Sequence, residues 1–225
     1  MKDLIPRIVT GIIGLSLFAG VWFAIAGRVT WWQGWISLLA FILFVGILSL
    51  RLAKVNPGLL QERNRPAGQA EAWDRVVMSI YTVLLIVQMV IAALDGGRYA
   101  WSSVSPGIQV LGWLLLIFAG IVVWHVMMIN AYLSSWSRLQ EDRDQVVVTE
   151  GLYRYVRHPM YLGVMVAFVG LPLVLGSWWA LVPSLPNIGL FAYRTYREDN
   201  MLKDGLPGYS EYAREVRYRL LPGIW

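Results

Sequence analysis

Two short stretches carry most of the residues able to do chemistry. The first is GLYRYVRHPMY, residues 151–161, which runs directly into a long apolar segment. Proline suits the first turn of a helix, where its missing N–H removes no bond, so Pro159 predicts a helix start with Arg157 or His158 at the cap. The free amides and positive dipole end of that helix lie beside Arg154, Arg157 and His158, a combination that receives a carboxylate or phosphate. Juxtamembrane arginines also meet lipid headgroups, but a histidine is a directional donor rather than a charge anchor. The second stretch holds Arg194, Arg197, Glu198, Asp199 and Leu202. Adjacent acids near the C-terminal end of a helix oppose its dipole at about 0.3 to 1 kcal/mol each. They call for a cation: Arg194, four residues before Glu198, an arginine of the tail, or the ammonium or sulfonium group of a ligand. An anion-binding helix start beside an acidic pair describes a site for a zwitterion.

The elements that must bring these stretches together are membrane helices. The chain has 225 residues, 57% hydrophobic and 15% charged, against roughly 25% charged in soluble domains. Residues 8–26, 34–50, 76–94 and 108–129 contain no Asp, Glu, Lys or Arg, and each approaches the roughly 20 residues that cross about 30 Å of hydrocarbon. A fifth uncharged run, 160–193, has 34 residues, about 51 Å as one helix and too long for one crossing. It is predicted to fold into a helical hairpin, with Pro172, Gly176, Pro183 and Pro186 marking the turn. The expectation is an all-α polytopic protein with about six membrane helices, the last two a hairpin, followed by a cytoplasmic C-terminal helix. It forms a single integral membrane domain over 1–225, with a four-helix part at 1–129 and a cofactor-binding catalytic part at 130–225. Of the 19 Lys and Arg, 17 fall in alternate segments, which places both termini in the cytoplasm. Lys2 and Arg7 before an apolar run ending Ala24-Ile25-Ala26 also resemble a signal peptide, but a 19-residue core exceeds the usual 7 to 15. Trp31, Trp32 and Trp35 read as an interfacial belt, and residues 54–74 as a cytoplasmic loop or surface helix.

Several chemistries are excluded. There is no cysteine, hence no disulfide or thiolate site, and no metal-ligand spacing, P-loop or dinucleotide fingerprint occurs. The net charge of +5 is accounted for by basic loops against anionic lipid rather than by nucleic acid. His125 and Gln88, inside apolar runs, read as interhelical hydrogen-bonding residues, and Met127, Met128 and Met165 as packing.

The two stretches also match a family. Val147-Val148-Thr149, Gly151, Tyr153, Arg154, Val156, Arg157-His158-Pro159, Tyr161 and Gly163, followed by Glu198-Asp199 and Leu202 with Tyr209 and Tyr212, resemble the integral membrane isoprenylcysteine carboxyl methyltransferase and phospholipid methyltransferase superfamily. The resemblance covers about residues 130–225 and implies S-adenosyl-L-methionine as cofactor. Carried over by position, Tyr153, Arg157, His158, Pro159, Tyr161, Gly163, Glu198, Asp199 and Leu202 would form the cofactor site. Asp199 stands where the family has a second Glu, and Gly205-Leu206-Pro207-Gly208 replaces a Phe-Gly pair. The acceptor implied is amphipathic or lipid-like and enters from the bilayer. A carboxylate acceptor needs only an orienting cation, Arg194 or Arg197. An amine such as phosphatidylethanolamine needs a base, for which Glu198, Asp199 and His158 are the candidates. Two other readings remain: an NADPH-dependent sterol reductase, whose closing motif residues 216–222 (VRYRLLP) resemble, and a transporter or scaffold, whose polar groups belong at the bilayer midplane.

Overall fold

The computed structural model describes residues 4–225, and Lys2 of the candidate leader lies outside the described residues, as does the Arg7 side chain. The described residues form eight α-helices and no strand: α1 (Leu4–Ala26), α2 (Trp32–Val55), α3 (Pro57–Arg63), α4 (Ala72–Ala92), α5 (Pro106–Ile129), α6 (Pro159–Val174), α7 (Leu181–Gly205) and α8 (Tyr209–Glu215). α4 continues through a π-helical turn, Ala93–Tyr99. Three of them, α2, α4 with its π turn, and α5, are long and apolar enough to cross a membrane, while α6 is apolar but shorter.

α6 and α7 run antiparallel. Ser184 Oγ donates to Phe168 O at 2.7 Å near the turn, and Tyr161 Oη donates to Glu198 at 2.6 Å at the open end. The prolines expected to mark the turn do not make it. Pro172 lies inside α6 and Pro186 inside α7; the chain reverses over residues 175–180, where Gly176 has φ +79°, a conformation glycine adopts without penalty. Proline at 172 has no N–H for the carbonyl four residues back, which is Phe168 O. In hydrocarbon that acceptor must be satisfied by a neighbour, and it is, by Ser184 and by Gln88 Nε2 of α4 at 3.2 Å. The expected interhelical role of Gln88 is thus an answer to the proline. Gln88→Leu combined with Ser184→Ala is expected to destabilise the protein by about 1 to 2 kcal/mol. The loss should shrink when Pro172→Ala restores an N–H, and equal losses in both backgrounds, measured by thermal unfolding in nanodiscs, would break this link.

α5 packs along α6 through small residues. A Cβ at Gly112 would lie 3.0 Å from Gly170 O, one at Gly170 would lie 2.9 Å from Gly112 O, and one at Gly163 would lie 3.3 Å from Ala119 O, so the two backbones approach as closely as small-residue seams allow. Gly163, expected in the cofactor site, belongs to this seam. Trp31, expected in an interfacial belt, is 1% exposed and packs edge-on against Trp22 and Phe23, whereas Trp32 and Trp35 are exposed. Met127 and Met128 pack with Leu48, Leu52 and Leu59, and Met165 with Phe168 and Phe191, the packing role expected of them.

Within residues 54–74 the chain forms α3, capped by Asn56, whose Oδ1 accepts Leu59 N at 3.0 Å, with Pro57 in the first position. Glu62 of α3 is 1% exposed and accepts both Arg138 Nε and Nη2 at 2.9 Å. Burial works against its charge, but the Arg138 bonds prevail and hold the carboxyl below its usual range. This pair clamps the segment between α5 and α6 onto α3, so a helix from the first half of the chain is held against the open end of the α6–α7 hairpin.

Candidate functional site

His158 is the residue that caps α6, with Pro159 at the first helical position. Its amide donates to Arg219 O at 2.9 Å, and that of Arg157 to Tyr218 O at 3.0 Å, so the tail pairs alongside the helix start. The His158 ring stacks parallel to Tyr161, 5.7 Å between centroids. Its Nε2 lies 3.4 Å from Asp199 Oδ1 and 3.3 Å from Tyr209 Oη, and its Nδ1 lies 3.8 Å from Glu198 Oε1.

The acidic pair separates. Neighbours on a helix point about 100° apart, and Asp199 faces the packed interior while Glu198 faces a cavity. The Asp199 side chain is fully buried and meets Arg157 at 2.6 Å and Lys203 and Arg219 each at 2.9 Å, with Tyr209 Oη donating to it at 3.1 Å. Arg157, expected to await an anionic ligand, spends its Nε and Nη2 on Asp199 and its Nη1 on the carbonyls of Val216 and Arg217. Burial opposes its charge, but the hydrogen bond and field of Asp199 prevail and raise its pKa. Tyr209 is held well above the ordinary phenol range, by burial first and then by Asp199, which keeps it a donor.

Glu198 is different. Its side chain is 20% exposed, and it accepts from Tyr161 Oη and Ser137 Oγ. It makes no ion pair with a Lys or Arg among the described residues. Arg194, expected to pair with it one helical turn away, turns instead to Asp74 at the start of α4, at 2.7 and 3.1 Å. Asp74 is fully buried and also accepts the Ser137 amide at 2.8 Å. Arg197 lies outside the cavity: it stacks over Trp73 at 5.0 Å and donates to Tyr193 Oη at 2.8 Å.

The cavity has a volume of about 280 Å³ and takes residues from α3, α4, the 130–148 segment, the hairpin and α8. Of the expected site residues, Tyr153, Arg157, His158, Tyr161, Glu198, Leu202 and Arg194 border it; Asp199, Gly163, Pro159 and Arg197 do not. Tyr153 Oη accepts Asn130 Nδ2 at 2.6 Å, and burial raises its pKa. Tyr212 Oη donates to Tyr153 O at 2.7 Å, which fixes α8 as the floor. His125 sits against Gly151. Ser137 and Arg63, which border the cavity, and Asp74, which holds Arg194, are not among the residues expected from the sequence. An acid at the mouth of an apolar helix is a visible signal for Asp74, whereas nothing local distinguishes Ser137.

The motif at residues 216–222 proves to serve this site: Val216 and Arg217 accept from Arg157, and Arg219 meets Asp199. Among the described residues there is no group of three or more His, Asp or Glu side chains placed to hold a metal ion. A fully apolar cavity would suit a lipid alone. This one combines aromatic rings with a carboxylate that has no Lys or Arg partner among the described residues, which fits a ligand carrying a cation and a flat ring.

Comparison with known proteins gives concordant results. Residues 112–204, which contain both motifs, match the isoprenylcysteine carboxyl methyltransferase (ICMT) family. A Protein-S-isoprenylcysteine O-methyltransferase of Schizosaccharomyces pombe is 23% identical, over 66% of this chain and 71% of that one. In fold the chain is similar to a eukaryotic intramembrane Ras methyltransferase, ICMT, with a TM-score of 0.53 over 100% of this chain and 90% of the other at 18% identity.

Proposed function

We propose that this chain, an integral membrane methyltransferase of the isoprenylcysteine carboxyl methyltransferase family, transfers a methyl group from S-adenosylmethionine to an amphipathic acceptor at the cytoplasmic membrane boundary. Glu198 carries this reading. It is a partly buried carboxylate with hydroxyl partners and, among the described residues, no Lys or Arg partner. It is open to a cavity, and such a group is stabilised by a cationic ligand. Six membrane helices with both termini cytoplasmic, supported by the Lys and Arg distribution, belong to the same proposal, as does the division into parts at 1–129 and 130–225.

The cofactor supplies a methyl carbon already activated by positive sulfur. The residues of this chain position and desolvate the partners. Glu198 offers its carboxylate to the cationic part of the cofactor. Tyr161 and Ser137 hold that carboxylate in place, and Tyr153, Leu202 and Tyr212 provide the walls. His158 orients through its stacking on Tyr161. Arg157 and Asp199 act one layer behind, by locking the tail against the helix start. Arg194, neutralised by Asp74, braces α7 against α4 and stacks over Tyr161 at 5.1 Å.

Calorimetry of the purified protein with S-adenosylmethionine, S-adenosylhomocysteine and NADPH tests the reading. Micromolar binding of the adenosyl compounds is expected, about 8 kcal/mol at 1 µM, and binding of NADPH alone would favour the reductase. Acceptor class is read from pH. A carboxylate of ordinary pKa near 3.5 is ionised throughout pH 6 to 8, so its methylation should be nearly flat there. An amine such as that of phosphatidylethanolamine must lose a proton first, so its methylation should rise with pH. Radiolabelled transfer to prenylcysteine analogues and to phosphatidylethanolamine in the same bilayers reads both; base-stable labelling of the lipid amine without any base-labile ester would assign an amine acceptor.

A further inference from the structure

Among the described residues, the charges around the cavity are matched with two exceptions. Arg157 has Asp199, Arg194 has Asp74 and Arg138 has Glu62. Glu198 has no Lys or Arg, and Arg63, the last residue of α3, has no carboxylate. Arg63 borders the cavity and is half-buried. Its Nη1 donates to Leu133 O at 3.2 Å, and among the described residues Nε and Nη2 have no partner. Burial lowers its pKa from the ordinary arginine value; Tyr161 opposes that shift and Arg194 adds to it. Arginine remains charged regardless, so the cavity holds a guanidinium that its neighbours do not neutralise. The Nε and Nη2 pair is the edge that grips a carboxylate with two parallel bonds.

Arg63 shares an apolar stretch of the cavity wall. Met78 and Tyr81 of α4 border the cavity with it, and Tyr81 meets Phe168 and Phe191 at 5.8 and 5.3 Å. That wall is apolar and aromatic, suited to a hydrocarbon chain. Arg63, Met78 and Tyr81 all precede residue 112, where the family match begins, while Glu198, His158 and Tyr161 lie within it. The groups at the cofactor end thus fall inside the matched region, and those of the Arg63 wall fall outside it.

We propose that Arg63 is the residue that receives the carboxylate of the methyl acceptor, an inference that rests on the methyltransferase reading above. In the transfer, a lone pair of a carboxylate oxygen forms the new bond to the methyl carbon. The carbon–sulfur bond breaks, its electron pair returns to sulfur, and no proton is released. The products are a neutral ester and a neutral thioether. The ester has lost the charge that Arg63 held, so the same residue that captures the acid favours departure of the product.

The test is a binding cycle between Arg63 and the ligand's charge, in nanodiscs with the full chain. A prenylcysteine analogue and its methyl ester are titrated into wild type and Arg63→Gln, with S-adenosylhomocysteine as a third ligand. Wild type should prefer the acid by about 10- to 100-fold, the worth of a charge-assisted contact. Arg63→Gln should abolish that preference, raise KM for the acid to the same extent and leave S-adenosylhomocysteine within about twofold. A preserved acid-over-ester preference in Arg63→Gln would overturn the assignment. So would loss of S-adenosylhomocysteine affinity at an unchanged thermal midpoint, which would give Arg63 to the cofactor's own carboxylate. If Arg63→Gln does not fold, Arg63→Lys, which keeps the charge without the fork, should show a reduced preference, and an undiminished one would count against the proposal. A wild-type protein that binds the adenosyl compounds but methylates no carboxylate removes the inference and leaves the cofactor reading standing; one that binds neither adenosyl compound removes both.

Discussion

Asp199→Ala is expected to lower stability by about 3 to 5 kcal/mol, because removing one partner of a buried ion pair leaves the others uncompensated. Three cations, Arg157, Lys203 and Arg219, meet this one carboxylate, and Arg157 is itself buried. For a chain of this size each kcal/mol shifts the thermal midpoint by roughly 2 to 4 °C, so a fall well outside experimental error is expected in nanodiscs. The tail should loosen as well, since Arg157 holds the carbonyls of Val216 and Arg217. Asp199→Glu keeps the charge on an arm one methylene longer and should recover most of the midpoint. A wild-type midpoint for Asp199→Ala would show that the three cations are solvated without it.

Glu198→Gln should act on binding instead. Its partners are the Tyr161 and Ser137 hydroxyls, which a neutral amide can still engage, so the midpoint should change little. The loss of a charge-assisted contact is worth about 1.5 to 3 kcal/mol, and S-adenosylmethionine affinity should fall by about 10- to 150-fold. S-adenosylhomocysteine lacks the sulfonium charge but retains the ammonium. A smaller loss for it would locate Glu198 near sulfur, and an equal loss would locate it near the ammonium. Unchanged affinity for S-adenosylmethionine would reduce Glu198 to a structural acceptor.

These two adjacent acids mark the boundary of what was legible in the sequence. Sequence was sufficient wherever the physics is local. Long uncharged runs dictate helices, since backbone groups in hydrocarbon must bond within their own segment. The length of residues 160–193 demanded a fold-back, and Pro159 after His158 set a helix start. The joining of the two motifs follows from the hairpin alone. Helical periodicity also required Glu198 and Asp199 to point about 100° apart, but it fixes only their relative angle. Which of them meets the cavity depends on the rotation of α7 about its axis, and that is decided by packing against Tyr209, the tail and α4. Arg194 shows the same limit. One turn from Glu198 it had a local partner available, yet it pairs with Asp74, 120 residues away in the chain, because burial makes a well-bonded distant carboxylate better than a half-exposed neighbouring one. Arg63 is the extreme case: nothing in the local sequence distinguishes it from Arg65 two residues on, and the clamp between Glu62 and Arg138 holds α3 where Arg63 borders the cavity. Ion pairs between segments far apart in sequence leave no periodic trace, so the tertiary structure alone decides which charges are spent on the fold and which remain for a ligand.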